Sequence, residues 1–463
     1  MFIGREKELR WLEEQYTSDK FEMSILYGRR RIGKTRLIKE FIKDKKAIYF
    51  LATNGTEKLN LQLFSEYLFN ILSPSLTTAQ FPDFHSAFKY LGEQAKNERI
   101  VLVIDEYPYL AESVKGVSSI LQRVIDEYFI NTKLFIILCG SSMSFMEKQV
   151  LGQKSPLYGR RTSQMKLFPF SFEEVLDFFP NSSNEEAAIY YGVTGGVAEY
   201  LTFINPDDTL DNNLIHLFFE TRGRLYEEPQ NLLNQELRDP KIYNEILLSI
   251  ASGSSKNNEI ATTIGKRSSD ITPYLNNLQE LMIVEKVESI SEFGSKKPIY
   301  RVRDFMYRFW FKFVKTGQAM IEMDEGKTYY YEKVKPYINE YMGLVFEQIV
   351  FEYMNKKNKT FKIDDKIIQQ GIFFGTDKYK KKEVEIDYLG ISSNKYYLGE
   401  VKWRNEKVKS KLLLSLLDKS TIIPKKHQYL LFSKSGFVES DIFEQYDVEC
   451  ISFEEICSLL KNK

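Results

Sequence analysis

Cysteine and histidine are scarce, with three of each in 463 residues. Cys139, Cys450 and Cys457 are too few for a disulfide scaffold or a thiolate zinc cluster. His85, His216 and His427 are too scattered for a histidine-rich metal site. Charge of one sign is lacking too: 64 Lys and Arg balance 64 Asp and Glu. As whole-chain properties, a basic nucleic-acid coat and an acidic disordered tail are therefore excluded, while local patches stay open. No apolar run reaches the roughly 18 residues of a membrane span, so no membrane partner is expected. Met1–Glu6 carries no basic stretch followed by an apolar one, so no secretory signal is expected and the expected location is cytoplasmic. Internal repeats and low-complexity linkers are also missing. What remains is an ordinary globular composition, 43% hydrophobic and 28% charged. At roughly 100–200 residues per domain, the length allows two to four domains.

Changes of pattern suggest the organisation. Up to about residue 170, short apolar runs alternate with helix-like stretches: Met23–Tyr27, Ala47–Leu51, Ile100–Ile104, Leu134–Cys139 and a weaker Gln164–Phe168. Such alternation predicts an α/β fold with a parallel sheet and crossover helices. Phe172, Val175, Leu176 and Phe179 then recur at helical spacing, and Gly192, Gly195 and Gly196 interrupt that region. A helix-rich unit ending in two strand-like runs follows from about 240 to 305. Beyond about 340, helices mix with the strand-like runs Val384–Leu389, Tyr396–Val401 and Gln428–Phe432.

Gly28-Arg-Arg-Arg-Ile-Gly33-Lys34-Thr35 fits the pattern G-x-x-x-x-G-K-[ST]. It also has the context the pattern requires, a strand-like run before it and a helix pattern after it. Loop N–H groups and the helix N-terminus can then surround phosphate oxygens. Lys34 is expected to reach the β- and γ-phosphates, and the Thr35 hydroxyl to bind Mg²⁺. Arg99–Asp105 is a buried-strand run followed by a second acid, Glu106. Asp105 at its tip is placed to hold the Mg²⁺ shell and Glu106 to polarise a water, which points to ATP hydrolysis rather than simple binding.

Together these features resemble the additional-strand P-loop ATPases, specifically the archaeal and bacterial ATPase family near the AAA+ and STAND groups. Phe2-Ile-Gly4-Arg5-Glu6 is similar to the family's N-terminal box, which lies against adenine. The arginine-rich phosphate loop (Arg31 and the flanking Arg36 included), Ser141 at the sensor position, and Gly159-Arg160-Arg161-Thr162 also resemble the family pattern. Gly195-Gly196-Val-Ala198-Glu-Tyr200-Leu201 resembles its Gly-Gly-x-Pro-x-Tyr-Leu box, with Ala198 where that box has proline. The resemblance implies that Arg160 or Arg161 can act as an arginine finger, in cis or across the interface of a homo-oligomer; an ordinary surface salt bridge is the plain alternative.

Lys241–Ser252, Asn258–Gly265 and Ser268–Met282 read as three helices, with Pro273 expected in the first turn of the third. Two strand-like runs, Ile283–Val287 and Pro298–Val302, follow. That is the order of a winged helix-turn-helix. Lys266, Arg267, Ser268, Ser269 and Thr272 are its candidate groove contacts, with Lys296 and Lys297 on the wing. DNA contact and protein docking both fit so thin a basic patch.

Farther on, Asp387 ends Val384–Asp387, and Glu400 and Lys402 alternate onto one face of Tyr396–Trp403. A hairpin through Gly390 and Ser392–Asn394 would bring them together. Two carboxylates can hold Mg²⁺ while a lysine orients water. The constellation is similar to the PD-(D/E)xK nuclease fold, although Ile386 precedes Asp387 where the name motif has proline. Carried over by that resemblance, Asp387, Glu400 and Lys402 match the metal and lysine positions, and Glu347 matches the acid on the first helix. The ATPase family often carries such a C-terminal, DUF234-type domain, and non-cutting versions of the fold fit the same residues. Between Tyr353 and Lys382 stand nine lysines (356, 357, 359, 362, 366, 378, 380, 381 and 382) against three aspartates. They offer a basic surface for phosphates or a merely solvated loop. Trp403, Arg404, Lys407 and Lys409 extend it.

The expected division is an ATPase core at 1–170, a helical lid at 171–238, a winged helix at 239–310 and a restriction-endonuclease-like α/β domain at 311–463. ATP and Mg²⁺ are the expected cofactors. Nucleic acid, DNA first, is the expected partner. A regulatory ATPase switch that does not cut and a chaperone-like ATPase acting on proteins are the rival readings.

Overall fold

Five short apolar runs of the N-terminal region become a parallel sheet in the computed structural model, which describes residues 2–76, 79–291, 294–377, 380–424 and 426–461. The strands are β1 (Glu22–Tyr27), β2 (Ala47–Leu51), β3 (Ile100–Asp105), β4 (Leu134–Gly140) and β5 (Ser163–Lys166). Their order is β2-β3-β4-β1-β5, with every pairing parallel. Every position of β1, β3 and β4 is buried, whereas the edge strands β2 and β5 are partly exposed. Continuous apolar runs suit central strands covered on both faces. Because β4 lies between β3 and β1, the carboxyl tips of these strands share one end of the sheet. The phosphate loop follows β1 there.

The chain forms two compact units, Met1–Pro169 with Val197–Glu199, and Phe170–Gly196 with Tyr200–Lys463. The first contains this sheet. The core between β1, β3, β4 and the helix after the phosphate loop is built from Leu26, Leu37, Ile38, Phe41, Val101, Phe135 and Ile137.

The second unit contains helices Lys241–Ala251, Asn257–Thr263 and Ser268–Glu280, then an antiparallel hairpin of β6 (Val284–Val287) and β7 (Ile299–Val302). Pro273 lies inside the third helix, not in its first turn. The long helix Ile338–Lys359 precedes a five-stranded sheet. Its strands are β8 (Gln369–Asp377), β9 (Lys382–Ile391), β10 (Lys395–Lys402), β11 (Lys426–Ser433) and β12 (Val448–Ser452), in the order β12-β11-β10-β9-β8. β8, β9 and β10 run antiparallel, and β10, β11 and β12 run parallel. One face packs Phe373, Ile386, Leu398 and Leu431 against Leu413 and Leu416 of helix Lys411–Ser420. Rings of Phe346, Trp403 and Phe453 stack edge to face, tying the long helix to the end of the sheet.

Two strands differ from the sequence expectation. β8 lies within the lysine-rich stretch, where Gly371 and Gly375 interrupt the strand pattern. β12 is only five residues long and carries Glu449 amid its apolar positions. The β6–β7 hairpin also has a docking site of its own within the unit. Ile290 donates its N–H to the Ile372 carbonyl (3.3 Å), Ser295 donates to that of Phe374 (2.7 Å), and the Ile290 side chain joins the core beneath helix Lys411–Ser420.

Candidate nucleotide site and C-terminal carboxylate site

The phosphate loop closes between β1 and helix Lys34–Ile42. A Cβ on Gly28 would stand 2.5 Å from the Leu167 carbonyl, so only glycine lets the two backbones pass. Gly33 caps the helix at φ +94°, in the left-handed region that favours glycine. Lys34 is buried, and its ammonium donates to the Gly28 and Arg29 carbonyls at 2.8 Å each. Burial pulls its pKa down, and the nearby Cys139, Glu106 and Asp105 oppose that shift. The side chain thus lies over the loop that would hold the phosphates.

The acids at the tip of β3 are organised by neighbours from helix Lys34–Ile42, from β2 and from the turn after β4. Asp105 Oδ2 accepts the Thr35 hydroxyl at 2.8 Å and the Tyr49 phenol at 2.5 Å. Its Oδ1 accepts the Glu106 N–H at 3.0 Å. Thr35 and Asp105 are hard oxygen donors already side by side, the chemistry that Mg²⁺ takes beside phosphate oxygens. Glu106 adopts φ +53°, and its carboxylate accepts the Ser141 hydroxyl (2.9 Å) and N–H (3.3 Å). Ser141, past the end of β4, therefore holds the second acid. Spacing pointed to Asp105, Glu106 and Ser141, but Tyr49 had no motif to mark it. Only the parallel register of β2 on β3 brings it there.

The remaining expected nucleotide residues take varied positions. Gly4 and Arg5 are buried, both at positive φ. Arg5 donates to the carbonyls of Ile32 (3.1 Å) and Phe168 (2.8 Å), bracing the phosphate loop from behind. The Arg31 carbonyl accepts the Glu199 N–H at 3.1 Å, and its guanidinium faces the Glu199 carboxylate at 3.5 Å. Ala198 lies against Gly33. Arg36 is exposed on the first helical turn. Arg160 forms a two-pronged pair with Asp126 (3.1 and 2.9 Å), and hydrogen bonding from Arg160 holds that carboxyl below the usual range. Arg161 donates to the Leu151 carbonyl at 2.9 Å and lies over the Tyr158 ring.

In the C-terminal sheet, β9 and β10 form the expected hairpin and bring Asp387, Glu400 and Lys402 together. The Lys402 ammonium bridges Asp387 Oδ2 (2.9 Å) and Glu400 Oε2 (3.1 Å). Burial works against that ammonium, but the two carboxylates outweigh it and hold its pKa above the ordinary lysine value. The Val401 N–H also donates to Asp387 (2.8 Å), and Lys419 pairs with the buried Glu400. Glu347 sits within the field of Asp387. Burial first, and then that negative charge, push it up to about 8. Arg301, on β7, reaches Glu347 at 3.4 Å and Glu285 at 3.1 Å. Neither Lys419 nor Arg301 carried a sequence signal. Among the described residues, no group of three or more His, Cys, Asp or Glu stands close enough to hold a metal. Glu347, Asp387 and Glu400 are thus not a ready-made cage; cations of the chain itself occupy their neighbourhood.

The basic run is divided in its use. Lys356, Lys357 and Lys380 pair with Glu173, Glu449 and Asp418. Lys359, Lys362, Lys366, Lys381 and Lys382 are exposed, and Lys378 lies outside the described residues.

Comparison with known proteins agrees with the motif reading. The family described as an ATPase domain predominantly from Archaea matches residues 2–204. The DUF234 family, described as archaeal and bacterial proteins of unknown function, matches residues 310–412. An uncharacterized protein of Methanocaldococcus jannaschii is 33% identical over 449 residues, 96% of this chain and 94% of that one. An uncharacterized ATP-binding protein of the same organism is 52% identical over 46 residues, 10% of this chain and 78% of that one. The Walker-type ATPase of Pyrococcus abyssi shares the fold at 18% identity, with a TM-score of 0.51 over 67% of this chain and 96% of that one. No helix among the described residues is long and apolar enough to cross a membrane. The chain belongs to the archaeal and bacterial family of P-loop ATPases whose ATPase domain is accompanied by a C-terminal DUF234 domain.

Proposed function

We propose that the protein couples ATP hydrolysis at the phosphate loop to nucleic-acid binding, DNA first, by its C-terminal unit. In the hydrolytic step Lys34 leaves its loop carbonyls for the β- and γ-phosphate oxygens. Thr35 and Asp105 present oxygens to Mg²⁺, which when bound offsets charge on those phosphates. Glu106, held by Ser141, accepts a proton from the attacking water. Gly4, Arg5, Gly28, Arg31, Gly33 and Arg36 frame the nucleotide. Arg160 or Arg161 serves as a finger on leaving its present partner, in cis or in a homo-oligomer. The carrying observation is the trio of Thr35, Asp105 and Lys34 at one strand end, with Glu106 beside it. Lys34→Ala is expected to abolish turnover; unchanged turnover would sink the assignment.

The division into ATPase core, helical lid, winged helix and restriction-endonuclease-like domain belongs to the same proposal. In the C-terminal unit, the reading of Asp387, Glu400 and Lys402 as a phosphodiester-cleaving site rests on Lys402 held between two acids of adjacent strands. Glu347 completes the group. The test is DNA cleavage in Mg²⁺ or Mn²⁺, with and without ATP, by the wild type and by Lys402→Ala. Loss of cutting in the variant supports the site. A second reading, a regulatory switch that binds nucleic acid or a protein without cutting, is favoured by one observation: Lys402 and Lys419 already pair with Asp387 and Glu400, and Arg301 stands 3.4 Å from Glu347. A wild type that binds ATP and cuts nothing supports that reading instead.

A further inference from the structure

The Asp105 carboxylate is almost fully buried, yet among the described residues no cation of the chain pairs with it directly. It is held by hydroxyls. Thr35 and Tyr49 both donate to Oδ2, at 2.8 and 2.5 Å, and Oδ1 takes the neighbouring backbone N–H at 3.0 Å. Thr35 comes from the helix after the phosphate loop, and Tyr49 from β2 on the far side of β3. The carboxylate is therefore clamped from two elements, and it cannot turn without breaking one of the two hydrogen bonds that Oδ2 accepts. Lys39, one turn beyond Thr35, stands over the Tyr49 ring at 5.3 Å. The ring thus rests on the same helix whose first turn supplies Thr35.

We propose that Tyr49 is a positioning residue of the magnesium-nucleotide site, its phenol fixing the Asp105 carboxylate against Thr35 before the metal–nucleotide complex arrives. A hydroxyl that donates to Asp105 has its oxygen lone pairs turned outward, which is how a metal-binding Thr35 must face. Tyr49 keeps Asp105 in place to accept that proton. Groups that orient a metal ligand in this way typically contribute tenfold or more to metal affinity. Among the described residues, the Tyr49 hydroxyl bonds Asp105 and no backbone group of the phosphate loop, so nucleotide without metal should not depend on that hydroxyl.

The test uses calorimetric titration of the full chain with ADP, in EDTA and across a Mg²⁺ series, for the wild type, Tyr49→Phe, Asp105→Asn and the double variant. Phenylalanine keeps the ring and its packing and removes only the hydroxyl. The expected result is ADP affinity in EDTA unchanged within about twofold, and a Mg²⁺ concentration for half-maximal tightening raised about tenfold. In the Asp105→Asn background the same change should add nothing, because the two residues act through one bond. A Mg²⁺ curve for Tyr49→Phe that overlays the wild type overturns the proposal. So does an equal loss of affinity with and without Mg²⁺, which would make Tyr49 a packing residue only. So does a full additional loss in the Asp105→Asn background.

Discussion

Gly33 and Gly28 are both required by the phosphate loop, but for different reasons. At Gly28 the constraint is space, since a Cβ meets the Leu167 carbonyl. At Gly33 space is available, with Ala198 at ordinary contact distance, and the constraint is φ +94°. Gly33→Ala should therefore cost about 1–2 kcal/mol, the penalty for an L-residue in the left-handed region. Chemical denaturation would read it, and ADP affinity should fall with it because the loop and helix start move together. Lys34→Ala should behave otherwise. It removes the ammonium expected to meet the phosphates, so nucleotide binding should vanish, and because burial disfavours that charge in the fold, folding stability should be retained. A calorimetric titration paired with a urea melt separates the two outcomes.

Helix Ile338–Lys359 shows what one element contributes. Gly343 lies inside it, and a Cβ there would meet nothing within 4 Å. Gly343→Ala should stabilise the protein by about 0.5–1 kcal/mol, through helix propensity and a smaller loss of backbone entropy. A loss of stability on denaturant titration would show that the helix needs flexibility at that point. Glu352, nine residues on, accepts the Tyr191 hydroxyl (2.9 Å) and the Phe172 N–H (2.8 Å). Burial raises it to about 7 in spite of these donors. A carboxyl raised on folding favours the folded state while protonated, and that advantage is lost as pH climbs from its ordinary value near 4.5 through about 7. Glu352→Gln does not titrate. Relative to the wild type, its denaturation midpoint should improve between pH 5 and pH 7.5 and then level off. A pH-independent difference would mean Glu352 stays ionised in the fold.

For the molecule as a whole, electrostatics must be read from the surface and not from the composition. A chain with balanced charge carries a local excess of lysine, but Lys356, Lys357 and Lys380 are committed to internal ion pairs. If nucleic acid binds this face, the exposed Lys362 and Lys366 are the ones to neutralise phosphates. Replacing both with alanine should lower the slope of log affinity against log salt by about 2, near one unit per lost phosphate contact. Lys356→Ala should leave the slope alone and lower stability. An unchanged slope in the Lys362/Lys366 double variant would move the nucleic-acid surface elsewhere, with Lys296 and Lys297 of the β6–β7 hairpin next to test.

How much of this protein is legible in its sequence depends on how local the chemistry is. The phosphate loop does its binding with consecutive backbone groups, so eight residues and their flanking apolar runs sufficed to place Lys34, Thr35 and Gly33. The central strands β1, β3 and β4 were legible because burial on both faces demands continuous apolar runs, and the partly exposed edge strands β2 and β5 gave shorter or weaker ones. β8 was not legible, because an edge strand carrying glycines beside lysines has no such demand. The Asp387–Glu400–Lys402 group was half legible: alternation put Glu400 and Lys402 on one face, and the turn residues suggested the hairpin. What surrounds these groups was decided by tertiary structure alone. Tyr49 reaches Asp105 through strand register, Arg301 reaches Glu347 through the packing of a hairpin, and Lys419 reaches Glu400 from a helix across the sheet. The segment 170–199 also divides, with 197–199 joining the phosphate loop and 170–196 the second unit. Gly196 stands next to that division, at φ +67°, where a Cβ would lie 2.2 Å from the Phe170 carbonyl. Sequence determines contacts between near neighbours through steric and hydrogen-bonding preferences of a few residues. Contacts across tens or hundreds of residues depend on which faces the whole core brings together, and no short pattern encodes that.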